Sequence, residues 1–199
     1  MQHVQWARIF CKWVLAEEYK LVMYARALSR LNKTTSLQKQ IFYPVLISLV
    51  ATGFIFGLTY LLDPNTILNI SDSESIEAAP WVVAVFLGPP IETFLFQTLL
   101  LLAVKRITEF WGQADNWFPA FLATSIVFAT AHGVMESSLY MAFVNTLTRA
   151  PLAIALALLA ISQRTQKRGR PFLAVTLAHG FYNLMVFVLV ISINLLLLA

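Results

Sequence analysis

The chain has 199 residues, of which 59% are hydrophobic and 12% charged, about half the charged fraction of an ordinary soluble domain. Its separate apolar runs reach about twenty residues, the length a helix needs to cross a hydrocarbon core, which excludes a soluble globular fold. The formal net charge of +4 does not point to nucleic acid, because the basic residues flank apolar runs, where lipid headgroups account for them.

In residues 1–40, Trp6, Ile9, Phe10, Trp13, Leu21, Tyr24, Ala25 and Leu28 recur at three- and four-residue steps, while Arg8, Lys12, Lys20, Arg26 and Arg30 fall mostly elsewhere. The pattern predicts an amphipathic helix at the membrane interface, with a short linker behind it, serving either as a lipid anchor or as a docking element. Arg8, Lys12, Glu17 and Glu18 interrupt this stretch, so no cleavable signal is expected. Its Cys11 is the single cysteine, which excludes an intrachain disulfide and a cysteine metal cluster.

Five membrane spans follow: Ile41 to Leu62, Trp81 to Val104, Trp117 to Gly133, Ser138 to Ser162, and Pro171 to Leu198. The predicted fold class is therefore an all-α polytopic transmembrane bundle. Gly53 and Gly57 in the first span form a small-xxx-small pair, expected to pack against another helix of the same chain. Loop charges alternate. Seven Lys and Arg precede the first span; the 63–80 loop has none and carries Asp63, Asp72, Glu74 and Glu77. The 105–116 loop has Lys105 and Arg106, the 134–137 turn has Glu136, and the 163–170 loop has Arg164, Lys167, Arg168 and Arg170. The positive-inside rule then predicts a cytoplasmic N-terminus and an external C-terminus.

Against this apolar background the intramembrane ionisable residues stand out, since a charge at mid-bilayer is expensive and functional by default. Glu92 lies twelve residues into a span and follows Pro89 and Pro90, which lack an amide hydrogen and leave the carbonyls of Val85 and Phe86 without helical partners. Irregular backbone at that depth is tolerated beside protein or water. Glu92 is thus either the wall of a small hydrated cavity or a member of a helix-helix contact. His132 follows Phe128, and Asn183 follows His179, each at i+4 and so on one helix face. A glutamate beside a histidine can deprotonate water, while a second histidine and an asparagine amide can donate to a developing oxyanion. That combination hydrolyses peptides without a side-chain nucleophile, and neither Ser125 nor Ser138 sits in a recognisable nucleophile turn. Glu92, His132 and His179 could equally hold zinc with an open fourth position.

The segments Gly88-Pro-Pro-Ile-Glu92-Thr93-Phe-Leu-Phe96-Gln97, Phe128-Ala-Thr-Ala-His132 and Leu177-Ala-His179-Gly-Phe-Tyr-Asn183, in that order, resemble the three motifs of the CPBP family, the CAAX prenyl protease and bacteriocin-processing (Abi) intramembrane proteases. The resemblance implies that Glu92 activates water with His132, that His179 and Asn183 form the oxyanion hole, and that Thr93, Phe96, Gln97 and Phe128 support them without a cofactor. Where the family usually reads Glu-Glu-x-x-x-Arg, this chain has Thr93 and Gln97, a variant form whose substrates need not be prenylated. The implied arrangement is an amphipathic segment over 1–40, an added span over 41–62 and a four-helix protease core over 80–199, with the lipid bilayer and a peptide or membrane-protein substrate as partners. A non-catalytic scaffold, immunity or assembly factor of the same fold is the competing reading. A proton relay also fits the composition but lacks an inverted repeat.

Arg149, between Thr146 and Pro151 in the fourth span, is the last intramembrane charge. It could replace the motif arginine missing at Gln97 by pairing with Glu92, snorkel to a surface, or clamp a substrate carboxylate. The charge alternation itself is open to test. With Cys11 replaced by serine, single cysteines at Ser73 and Ser137 should label from outside and those at Gln113 and Gln166 only after permeabilisation; labelling of Ser73 and Gln113 from one side would contradict the five-span order.

Overall fold

In the computed structural model, residues 36–63, 78–113, 115–134, 136 and 138–197 are described, and all their regular structure is helical. The predicted amphipathic helix lies outside these residues. Five helical units follow the predicted spans: α1 (Leu37–Leu62), α2 (Pro80–Phe110), α3 (Phe118–Ala131), α4 (Leu139–Arg164) and α5 (Pro171–Leu197). Four are long and apolar enough to cross a membrane. The exception is α3, whose 14 residues cover roughly 21 Å at about 1.5 Å per residue, short of a hydrocarbon core of about 30 Å. It stops where His132 begins.

The packing logic is that of a lipid-solvated protein. Large apolar side chains of α1, such as Ile47 and Phe54, point outward, while its buried positions are Gln40, Val45, Ser48, Thr52 and Thr59. Leaving lipid for protein gains an apolar face little, so small residues and hydrogen bonds bring membrane helices together. The contacts show it. Thr52 donates to the Thr148 carbonyl of α4 at 3.1 Å and accepts from the Tyr182 hydroxyl of α5 at 3.0 Å. Ser48 donates to its own Pro44 carbonyl at 2.7 Å and to that of Pro151 at 3.3 Å, and Gln163 pairs with Gln40.

The most enclosed span is α4, with half of its apolar window buried against about a quarter of the other long helices'. Its start is fixed by Ser138, whose hydroxyl accepts the Met141 amide at 3.1 Å, the usual N-cap arrangement. Leu152, Ala153, Leu156, Ala157 and Ala160 are buried along it, and the small size of the three alanines lets neighbouring helices approach closely. Gly53 and Gly57 do not serve this packing: a Cβ at either would meet nothing within 4 Å. The polar seam of Ser48 and Thr52 defines the buried face of α1, and the two glycines fall on its other side.

Candidate active site

Pro89 and Pro90 do not break α2. The chain instead widens into two π-helical stretches, Val83–Leu87 and Thr93–Leu100, either side of a short α-helical turn, Gly88–Glu92. In this i→i+5 register the Gly88 amide donates to the Val83 carbonyl. The carbonyls that face the two prolines are therefore those of Ala84 and Val85, not Val85 and Phe86 as an α-helical register implies. Both face α5, which supplies a donor to the first and packs closely on the second. Asn183 Nδ2 donates to the Ala84 carbonyl at 2.7 Å. Gly180 lies so close to the Val85 carbonyl that a Cβ would stand 3.0 Å from its oxygen. Sequence reasoning missed this role of Gly180, although a glycine one residue after His179 and three before Asn183 is the signal that carries it.

This latch places His179 against Glu92. The carboxylate oxygen Oε2 of Glu92 lies 3.4 Å from Nε2 of His132 and 3.7 Å from Nε2 of His179. The side chains of Glu92 and His132 keep 29% and 25% of their surface exposed, whereas that of His179 keeps 2%. The site is thus open beside Glu92 and His132 and closed behind His179. His132 is held from its other nitrogen, because Nδ1 lies 2.9 Å from the Phe128 carbonyl. A carbonyl can only accept, so Nδ1 carries the hydrogen and neutral His132 turns a lone pair at Nε2 toward Glu92. Two acceptors this close require a proton between them or a water donating to both.

Phe128, fully buried, organises the ring packing: its centroid is 4.8 Å from that of His132, 5.5 Å from that of His179 and 5.4 Å from that of Phe96. Beyond His132 the chain turns through Gly133, where any side chain would run into the Ala142 carbonyl and the Thr146 hydroxyl of α4. Asn145 then bonds to Glu136 across the same corner.

Thr93 and Gln97 are buried close to Glu92 in the sequence of α2, and among the described residues neither the Thr93 hydroxyl nor the Gln97 amide has a hydrogen-bond partner. A guanidinium does reach position 97, but from Arg164 at the end of α4, which donates to the Gln97 carbonyl at 3.2 Å. Sequence reasoning had counted Arg164 only as a loop charge. Arg149 is half-buried and within electrostatic range of Glu92 and His179, yet the ion contacts of Glu92 among the described residues are to the two histidines. Of the alternatives open to Arg149, a direct pair with Glu92 is not formed, which leaves contact through water, snorkelling or a substrate contact. Among the described residues no three His, Cys, Asp or Glu side chains are grouped as a metal site.

The arrangement joins a carboxylate and two imidazoles beside one opening, a grouping suited to activating water. Over residues 74–185, from the approach to α2 through Asn183, the chain matches the family model Rce1-like, described as type II CAAX prenyl endopeptidase Rce1-like. No curated protein and no solved structure matches it. The latch predicts that Asn183→Leu, which keeps the bulk and loses the donor, strands the Ala84 carbonyl and costs about 1–3 kcal/mol. Thermal unfolding in detergent measures this, and a stability equal to wild type would show that the bond contributes nothing.

Proposed function

From the premise that the chain belongs to the Rce1-like family, we propose that it is an intramembrane endopeptidase that hydrolyses a peptide or membrane-protein substrate with a water activated by Glu92 and His132. The observation that carries this reading is the Glu92 oxygen shared between two imidazole Nε2 atoms, with His132 locked from behind. A water beside Glu92 gives its proton to the Glu92–His132 pair as its oxygen attacks the peptide carbonyl carbon. The carbonyl oxygen becomes the oxyanion, for which His179 and the second amide hydrogen of Asn183 are the proposed donors. Collapse breaks the C–N bond, and the proton held by the pair passes to the leaving nitrogen. Water is consumed, and one acid and one amine are released.

Thr93 and Gln97 are proposed to support Glu92 as neutral polar groups where a Glu-Glu-x-x-x-Arg motif has charges, a reading supported by their burial in the same helix. The reaction is metal-free in this reading. In the same reading the N-terminus is cytoplasmic and the C-terminus external, with residues 80–199 forming the catalytic core. One observation favours the competing scaffold reading, namely that one hydrogen of the Asn183 amide is already committed to Ala84.

Glu92→Gln keeps the shape and removes the basicity, so it should lower turnover by about 10² to 10⁴ with thermal stability retained. Comparative membrane proteomics of wild-type and Glu92→Gln cells should show a substrate that accumulates uncut in the variant; identical membrane proteomes would favour the scaffold. Wild-type turnover should survive chelation, and loss restored by zinc would turn Glu92, His132 and His179 into ligands.

For Arg149 the proposal is a contact made through water to Glu92 or directly to substrate, since the direct pair is absent. Thr146 packs at Gly133, and Arg149 lies three residues further along the same face of α4, with its side chain leaning back toward that corner. A water-mediated role makes Arg149→Met and Glu92→Gln non-additive in stability by more than about 0.5 kcal/mol. Additive stability with a raised KM and unchanged kcat identifies a substrate contact instead.

A further inference from the structure

At the end of the bundle where the basic loops gather, a polar cavity of about 250 Å³ is lined by Leu37, Gln40, Gln163, Gln166, Arg168 and Arg170. Its floor is built. Gln163, buried, pairs with buried Gln40 and accepts the Arg170 amide at 3.0 Å, while Gln166 reaches the Ser162 hydroxyl at 3.4 Å. Gly169 packs on the Gln163 carbonyl with no room for a Cβ. These contacts pin the 165–170 loop to the end of α4 and hold Arg168 and Arg170 at the cavity rim. Both arginines are exposed, and among the described residues neither guanidinium has an ion pair or hydrogen bond. No Asp or Glu occurs from Ser137 to Ala199, so nearby sequence offers these charges no acidic neighbour.

Beside this cavity, across the first two turns of α1, runs an apolar groove of about 580 Å³ between α1 and α5, lined by Ile41, Phe42, Leu177 and Phe181 with Lys39 at its edge. Leu177 is seven residues beyond Arg170 along the chain, roughly 10 Å deeper into the bilayer at about 1.5 Å per residue. Cations at the interface with an apolar trench about 10 Å below them match the two ends of a phospholipid, and basic pockets between membrane helices bind anionic headgroups. We propose that this surface binds one anionic phospholipid, with its phosphate against Arg168 and Arg170 and one acyl chain in the groove between α1 and α5.

Such a lipid would bridge α1, which lies outside the matched residues 74–185, to α5, the helix that carries His179. The proposal is independent of hydrolysis, so it is tested by binding. Native mass spectrometry of the purified full-length protein, with phosphatidylglycerol or phosphatidylcholine added, should show one phosphatidylglycerol retained at energies that strip phosphatidylcholine. Retention should weaken about fivefold for each arginine removed in Arg168→Gln and Arg170→Gln and survive in the doubly Lys-substituted chain. Leu177→Trp, which fills the groove and leaves the charges alone, should weaken it as well. Equal retention of the two lipids, or undiminished phosphatidylglycerol binding by the double Gln variant, would overturn the proposal. Displacement by acyl-free glycerophosphate at equal concentration would reassign the cavity to a soluble phosphate.

Discussion

The site depends on two backbone carbonyls that α2 cannot satisfy by itself. Pro89 and Pro90 lack amide hydrogens, and in a bilayer no surrounding water makes up for the loss, so an unpaired carbonyl there would cost several kcal/mol. The helix widens, and the unpaired acceptors become those of Ala84 and Val85. Asn183 donates to the first, and the bare Cα of Gly180 lets α5 pack closely against the second. Because His179 sits directly before Gly180, the same contact sets the imidazole beside Glu92. The Glu92–His179 geometry is thus a by-product of how the opposite helix meets these carbonyls.

The same economy governs the rest of the bundle. Thr52 links three helices with one hydroxyl, accepting from Tyr182 and donating to Thr148. Ser48 does similar work at Pro44 and Pro151. Much apolar bulk of α1 faces lipid while its small polar groups face inward, so it packs on α4 through hydroxyls rather than large side chains. Rigidity around α4 then supports the corner at Gly133, on which His132 rests.

Much of this was legible before any coordinates. In a chain with so few charges, Glu92, His132, His179 and Asn183 are conspicuous, and i+4 spacing sets Phe128 beneath His132 and Asn183 above His179; the observed ring contacts and the bond to the Phe128 carbonyl follow that spacing. The register of α2 was not legible, because an i→i+5 pattern depends on a neighbouring helix supplying donors, which local sequence does not encode. The reach of Arg164 was hidden for a similar reason: a long flexible side chain at a helix end finds whichever carbonyl the fold brings near. The glycine pair of α1 shows that a packing motif is permissive, and that a polar seam on the other face decides which side is used.

The shortness of α3 has a mechanical consequence. A helix about 9 Å shorter than the hydrocarbon core creates a hydrophobic mismatch on one side of the protein. The leaflet beside His132 must dimple, or headgroups and water must descend, because the polar turn after Ala131 cannot sit in acyl chains. A local thinning of the membrane is thus expected around His132. In the proposed reaction, delivery of water to Glu92 then becomes a property of bilayer shape, and thicker membranes would resist it at an elastic cost of fractions of a kcal/mol per Å.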